Sequence, residues 1–506
     1  MNLTAKGKTF LHIGLLSFIF SYLIITLNFF PHLGFTITLA LFAIFTYKFK
    51  KDKNKETTTY LVFTLLFASL LSVRSEPFIT FLNFVAALFF GSLMLLTHNK
   101  EKMGFADYVY KVFIFLFQSV FAKSDYFLEF KEKKGSSKMT KAVETIFGIL
   151  ITVFLLIIVL PLLSSVNPFF QKIVSDFWQL LSLENLLKNI GFETFFLWSL
   201  RLVFFLGFIF IIPKIITLIG KTNNYSLIPF FKADVFHLQI PKLVLTIILC
   251  VFFVTQLQFY FASDEALKSM GISYSQHTRE VFGQLSLVAG IVLVLIYNDR
   301  GKSRLGTILT WILGIQGIFL TLMAYKSVFE YINAWGLTYK RLYGLTFATW
   351  VTGIFFIFFT NYAQKGELPL FIKKTILFSG TVLLLVNILN FDYLIYHFKK
   401  AATGRGVDYT FLSTLSPDSL SYKDQGVKLE KVTEKGDYSL EDYNNENPLI
   451  ILHKIESLQR KYAKFDLRVV NLLDYLQYLQ IKSVNTGNLR LYYESKPPFR
   501  NYDYRY

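Results

Sequence analysis

Apolar residues in this chain run in long unbroken stretches, with the charged residues gathered between them. A bilayer core about 30 Å thick needs about 20 such residues per helix, and eleven stretches approach or exceed that length. They are Phe10 to Phe30, Leu33 to Tyr47, Thr57 to Val73, Pro77 to Thr97, Val143 to Val166 and Thr194 to Ile219. Leu243 to Ala262, Val281 to Tyr297, Leu305 to Tyr325, Leu342 to Tyr362 and Thr375 to Tyr396 complete the set. The pattern predicts an all-α polytopic membrane protein of about 11 transmembrane helices. The first stretch is too long for a signal-peptide core and lacks a small-residue cleavage site, so it reads as a retained helix. Tyr108 to Phe121 begins beside Asp107 and contains Lys111, which predicts an interfacial helix rather than a span. Phe170, Ile173, Val174, Phe177 and Leu181 repeat at helical spacing and predict a second helix lying along the outer surface.

The pattern changes after Tyr396. Residues 398 to 506 carry 17 basic and 14 acidic side chains, many Tyr and Asn, and no stretch long enough to span. Leu449, Leu452, Ile455, Leu458 and Tyr462 share one helical face after Asn447 and Pro448, and Val469, Leu472, Leu476 and Leu479 repeat it after Asp466. Two amphipathic helices are expected, and Leu489 to Tyr506, with Pro497 and Pro498, reads as an extended edge or a frayed end. The chain thus divides into a four-span region with a basic cytoplasmic loop (1–142), a seven-span core (143–396) and a small, mainly helical extracytoplasmic tail (397–506).

Composition sharpens this reading. A hydrophobic content of 53% and a mean hydropathy of +0.45 exclude a secreted globular domain, a coiled coil and a disordered chain. The net charge of +18 would suggest nucleic acid in a soluble protein; here it collects at loop ends. With the N-terminus in the cytoplasm, the loops near Lys50, Lys133, Lys221, Lys302 and Lys374 fall inside and hold about threefold more Lys and Arg than the outer loops. An odd number of spans then puts the tail outside. Membrane lipids, and a protein partner for the tail, are the expected partners; nucleic acid is not. The single cysteine, Cys250, excludes a disulfide framework.

Signatures of common chemistries are absent. Gly7-Lys8-Thr9 and Gly220-Lys221-Thr222 lack the preceding glycine of a phosphate-binding loop, and no His-Glu-x-x-His, Cys-x-x-Cys or Gly-x-Ser-x-Gly occurs. No catalytic residue, metal or cofactor is assigned. The seven His, such as His12, His98, His277 and His453, are scattered without ligand spacing.

Ionisable groups at membrane depth are candidates by default. Arg201 lies about seven residues into its run, roughly 10 Å deep, from where its stem can snorkel outward. Asp392 cannot reach so far and is expected to meet water or a basic partner. Arg279 and Glu280 open one run and Arg341 another, all on the outer side with Arg74 and Glu76. Two readings follow: separate boundary charges meeting headgroups, or one outward-facing polar site with Arg279, Arg341 and Asp392 at its core, Arg201 deeper and Glu280 beside them. Gln256, Gln258, Gln284, Gln316, Asn387 and Asn390 are expected to hydrogen-bond between helices, and Gly283, Gly290, Gly314, Gly317 and Gly344 to allow close packing.

These stretches also carry a resemblance. Tyr274-Ser-Gln-His-Thr-Arg279-Glu280-Val-Phe282-Gly-Gln-Leu285, Gly336-Leu337-Thr338-Tyr-Lys-Arg341-Leu342-Tyr343, Asn390-Phe-Asp392-Tyr393-Leu-Ile395, Asp408-Tyr409 to Leu412 and Leu415-Ser416-Pro-Asp418 are similar to signatures of a bacterial family of polytopic inner-membrane proteins, catalogued only as a domain of unknown function. The resemblance covers roughly Thr194 to Leu420 and departs after Ile395, where an Arg-Tyr-Asn-like stretch is replaced by Tyr396-His397-Phe398. It implies a bacterial inner-membrane location and no particular reaction. The function expected is a non-enzymatic sensor, scaffold or envelope-assembly factor; the alternative is a transporter or channel for a small solute or lipid.

Overall fold

The computed structural model describes residues 4–26, 32–97, 192–220, 239–260, 304–363, 368–400, 407–435 and 448–494, with residue 112 and a few positions between 285 and 296. Among them every regular element is a helix. The first nine are α1 (Ala5–Ile24), α2 (Leu33–Phe49), α3 (Lys55–Leu70), α4 (Pro77–Leu96), α5 (Phe192–Gly220), α6 (Gln239–Tyr260), α7 (Arg304–Trp335), α8 (Tyr339–Ala363) and α9 (Leu368–Leu389). Six stretches of the described residues are long and apolar enough to cross a membrane: α1, α4, α7, α8, Leu197–Ile219 within α5, and Leu370–His397. The run Val143 to Val166, most of Val281 to Tyr297 and the two expected interfacial segments lie outside the described residues.

Local chemistry sets the helix starts. Asn54 and Thr57 cap each other's backbone at the start of α3, and Glu76 accepts from Ile79 N at 2.6 Å in front of Pro77, a residue suited to the first helical position. The start of α2 approaches the end of α1 so closely that a Cβ on Gly34 would lie 2.2 Å from the Leu23 carbonyl oxygen.

Polar contacts sort the helix ends into two layers. At one end Lys50 Nζ donates to Leu95 O at 2.8 Å, Lys373 pairs with Glu56 at 2.5 Å, and Lys242 Nζ donates to Thr310 at 3.0 Å. At the other, Arg201 reaches the Ile25 carbonyl, and the chain after α9 folds over the ends of α3, α4 and α8. Between the layers the packing is aromatic against small residues. Phe359 and Phe355 of α8 lie against Gly314 and Gly317 of α7, and Phe378 of α9 lies against Gly353 of α8. Tyr60, Phe67 and Phe90 join α3 to α4 in a buried stack. Phe18, Ile247 and Phe319 remain exposed on the bundle's outside, as lipid-facing side chains do.

The expected last span is interrupted. Asn390 adopts φ 46°, ψ 81°, which stops α9 and lets its side chain accept from Tyr393 N, starting the short helix α10 (Phe391–His397). The remaining helices are α11 (Tyr409–Ser413), α12 (Tyr422–Lys435), α13 (Pro448–Tyr462), α14 (Leu472–Ile481) and α15 (Thr486–Glu494), with 3-10 turns at Pro417–Ser419 and Leu467–Val469. The face expected for α13 is buried apart from its first residue, and the leucines expected to share a face of α14 do so. In α13 the buried face is Ile451, Leu452, Ile455, Leu458 and Tyr462, while Leu449 is exposed. In α14 the leucines point outward: Asp474, Gln477 and Ile481 are buried, and Leu472, Leu476 and Leu479 are exposed. A 2.6 Å ion pair from Lys461 to Asp474 turns that polar face inward. Of the segment expected to be extended or frayed, residues 489–494 belong to α15, where Leu489 packs into a core with Tyr422, Leu429 and Ile455; residues 495–506 lie outside the described residues.

Candidate functional site

A dense polar cluster lies where the tail meets the helix ends. It starts with three consecutive residues, Arg74, Ser75 and Glu76, in the short link between α3 and α4. Asp418, in the 3-10 turn, spans all three: Oδ1 accepts from Ser75 N at 2.9 Å and Ser75 Oγ at 2.6 Å, and Oδ2 accepts from Glu76 N at 3.3 Å. Arg74 Nε lies 3.1 Å from Oδ2, an ion-pair contact rather than an aligned hydrogen bond. The link is held again from behind, by Asn471 Nδ2 on Arg74 O at 2.9 Å and Leu472 N on Ser72 O at 2.6 Å.

The same turn closes on the broken span. Asn390 Nδ2 donates to Asp418 O at 2.8 Å, while Asp392 Oδ1 accepts from Ser416 N at 2.8 Å and from the Tyr339 hydroxyl. Among the described residues, Asp392 Oδ2 is buried without a hydrogen-bond partner. Lys454 of α13 closes the cluster, giving its ammonium to the carbonyls of Ser413 and Leu415 at 2.7 Å each. Apolar residues seal it: Ile79, Leu342, Val386, Phe391, Ile395, Leu412 and Leu415 form one buried patch that joins span ends to tail. Asp392 and Asp418 are 0% exposed and Arg74 is 2% exposed.

Burial dominates the electrostatics. It pushes the Asp418 carboxyl up to about 6, against the opposing pull of Arg74 and the Ser75 donors. It raises the Glu76 carboxyl too, opposed by the N–H of Ile79 and reinforced by nearby Asp392. It lowers the Lys454 ammonium to about 8, with Asp392 partly restoring it. Such a cluster can fasten two parts of the chain and can hold a proton on a carboxyl. Among the described residues, no group of three or more His, Cys, Asp and Glu is arranged to hold a metal ion.

Each residue singled out in the sequence has a distinct place. Asp392 is in the cluster, where it accepts from a phenol and a backbone amide and lies within electrostatic reach of the Lys454 ammonium. Arg341 lies at the same end and gives Nη1 to the carbonyls of Trp335 and Gly336, at 2.9 and 2.6 Å, beneath the Tyr331 ring. It thereby caps the end of α7, a favourable place for a cation. Arg201, only 9% exposed, donates to the Ile25 carbonyl at the end of α1 between the rings of Tyr22 and Trp198. Arg279 and Glu280 lie outside the described residues. Asp418, Tyr339 and Ser416 carry the cluster without having been singled out as site residues, although all three fall within the signature stretches.

The fold and cluster together define a helical membrane protein whose tail is clasped to one end of its apolar helices. The sequence profile of a family described as a domain of unknown function, DUF4153, matches residues 61–425, and the chain belongs to that family. The matched stretch runs from α3 into α12 and contains Arg74, Glu76, Tyr339, Asp392 and Asp418. No curated protein and no solved structure matches the chain.

Proposed function

We propose that this protein is a non-enzymatic scaffold, sensor or assembly factor of the bacterial envelope, multi-pass in the inner membrane, with its tail outside the cytoplasm. One observation carries the reading: the ionisable residues of the tail-end cluster are enclosed and committed to joining tail to helix ends. A solute vestibule needs such groups open to water, so the transporter reading has less to stand on. A ligand site built from Arg201, Arg279, Glu280, Arg341 and Asp392 would have to exist alongside the separate contacts that Arg201, Arg341 and Asp392 already make.

The span count and orientation belong to the same proposal. Helix α4 stops at the end marked by Lys50, whereas α5 starts near the opposite end, where Arg201 meets Ile25. An odd number of crossings between them would fit that placement, and the apolar run Val143 to Val166 would supply one. The same parity separates α6 from α7, which lie parallel through Lys242 with Thr310 and Gln316 with Cys250, and Val281 to Tyr297 supplies that crossing. Parity therefore supports about 11 spans, and the excess of Lys and Arg at the opposite end supports an extracytoplasmic tail.

Photocrosslinking in cells tests the role. A crosslinker at exposed tail positions His453 and Asn488 is expected to yield a discrete adduct with another envelope protein. Failure at both positions, combined with uptake of a solute by proteoliposomes of the purified chain, would replace the scaffold by a transporter.

A further inference from the structure

Helix α14 presents its apolar face away from the tail core. Leu472, Leu476 and Leu479 follow one another along that face at 47, 41 and 42% exposure, and Phe465 and Leu467 just before the helix are 60% exposed each. The height of this segment is fixed by hydrogen bonds to the ends of four membrane helices. Arg468 Nη1 donates to Tyr22 O of α1 at 3.0 Å, Leu33 N of α2 donates to Val470 O at 2.9 Å, and Leu472 N and Asn471 Nδ2 bond to the carbonyls of Ser72 and Arg74 between α3 and α4. Two exposed aromatics mark the same level, Tyr22 and Trp198, and Trp and Tyr gather where hydrocarbon gives way to headgroups.

The charge at this level is positive. The Tyr22 ring is shared by Arg201 and Arg468, whose guanidinium carbons lie 4.9 and 4.4 Å from its centre. Asp466 is bound to Arg468 at 2.6 Å, and among the described residues Arg201 is paired with no carboxylate, only with a carbonyl and two rings. A cation in direct contact with no carboxylate and bracketed by aromatics at headgroup depth matches a lipid phosphate, and an apolar stripe beside it matches the acyl chains below.

We propose that residues 465–481 form an interfacial paddle that buries Phe465, Leu467, Leu472, Leu476 and Leu479 in the leaflet on the tail side, with Arg201 and Arg468 drawing an anionic phospholipid to its edge. The occupant of the stripe is lipid: Arg468, beside the stripe, is bound to the Tyr22 carbonyl of α1, whose Leu15, Phe18 and Tyr22 are themselves exposed. The inference depends on the height of the paddle and not on which side of the membrane the tail occupies.

Fluorescence of the full chain in nanodiscs tests it, in a Cys250→Ala background. An environment-sensitive dye at Leu476→Cys is compared with one at Asn488→Cys, an exposed site on α15, in discs of phosphatidylcholine with 30% phosphatidylglycerol containing nitroxide-labelled lipid. The expected result is quenching at 476 at least about threefold that at 488. Replacing phosphatidylglycerol by phosphatidylcholine, or Arg201→Gln, is expected to reduce quenching at 476. Adding Leu472→Ser and Leu479→Ser is expected to abolish it while leaving the detergent melting temperature unchanged, because neither side chain belongs to the tail core. Equal weak quenching at both sites overturns the proposal. So does a blue-shifted but unquenched dye at 476, which would mean that protein covers the stripe, and so does quenching indifferent to lipid charge and to Arg201→Gln, which would remove the anionic-lipid contact.

Discussion

The Asp418 carboxylate accepts from both the N–H and the hydroxyl of Ser75, across 343 residues of chain. That closure brings the tail back onto the link between α3 and α4, and the first expectation concerns its cost. Removing one partner of a buried pair strands the other charge, so Asp418→Asn or Arg74→Met alone should destabilise the protein by about 3 to 5 kcal/mol. The double variant Arg74→Met with Asp418→Asn should lose less than the sum of the two single losses, since the second substitution no longer strands a charge. Thermal melts of the four proteins in one detergent form the cycle; additive losses would mean that the two side chains do not act together.

Stability should also respond to pH through Asp418. Its carboxyl, raised to about 6 by burial, stays protonated in the fold at pH values where the unfolded chain has already released its proton. Fewer protons on the unfolded state mean that stability falls as pH rises from about 4 to about 6 and then levels off. Lys454, lowered to about 8, acts at the alkaline end, where stability should rise as pH rises from about 8 towards the usual lysine value. Asp418→Asn should flatten the first limb and Lys454→Met the second; melting curves unchanged in shape would refute the assignment.

Gly336 has φ +75°, and a Cβ there would lie 3.1 Å from Lys400 O. The left-handed conformation costs a non-glycine residue about 1 to 2 kcal/mol. Gly336→Ala should lose at least that much, whereas Gly207→Ala, where a Cβ meets nothing within 4 Å, should be near neutral in the same melt.

Orientation has a direct check. In a Cys250→Ala background, a membrane-impermeant maleimide applied to intact cells should label Ser483→Cys in the tail and spare Lys51→Cys after α2. Labelling both or neither without permeabilisation would sink the proposed topology.

How much of this was legible beforehand depends on the range of the interaction. The helices that cross or approach the bilayer follow from uninterrupted apolar runs, a local property. The break at Asn390 was not legible, since a polar residue near a span end is ordinary; only its left-handed backbone and the Asp418 carbonyl it binds make it a corner. The fate of Asp392 was hidden for the same reason, because Tyr339 and Ser416 lie 53 and 24 residues away along the chain. Spacing identified the leucine stripe of α14 and left its direction open, which Lys461 and Asp474 fix from the opposite face. For Arg341, the sequence located the charge and the structure supplied its partners, two carbonyls five and six residues upstream.

The seating of phenyl rings in glycine notches has a mechanical consequence. Phe359 and Phe355 sit on α7 at Gly314 and Gly317, and Phe378 sits on α8 at Gly353, each ring tip nearer than an added methyl would allow. These seats act as detents. Sliding α8 along α7 by a single residue would drive two rings against backbone at once, with the third resisting from α9. The three helices therefore form a plank that can tilt as one piece but does not shear, and any signal crossing this part of the bilayer would travel through it as leverage.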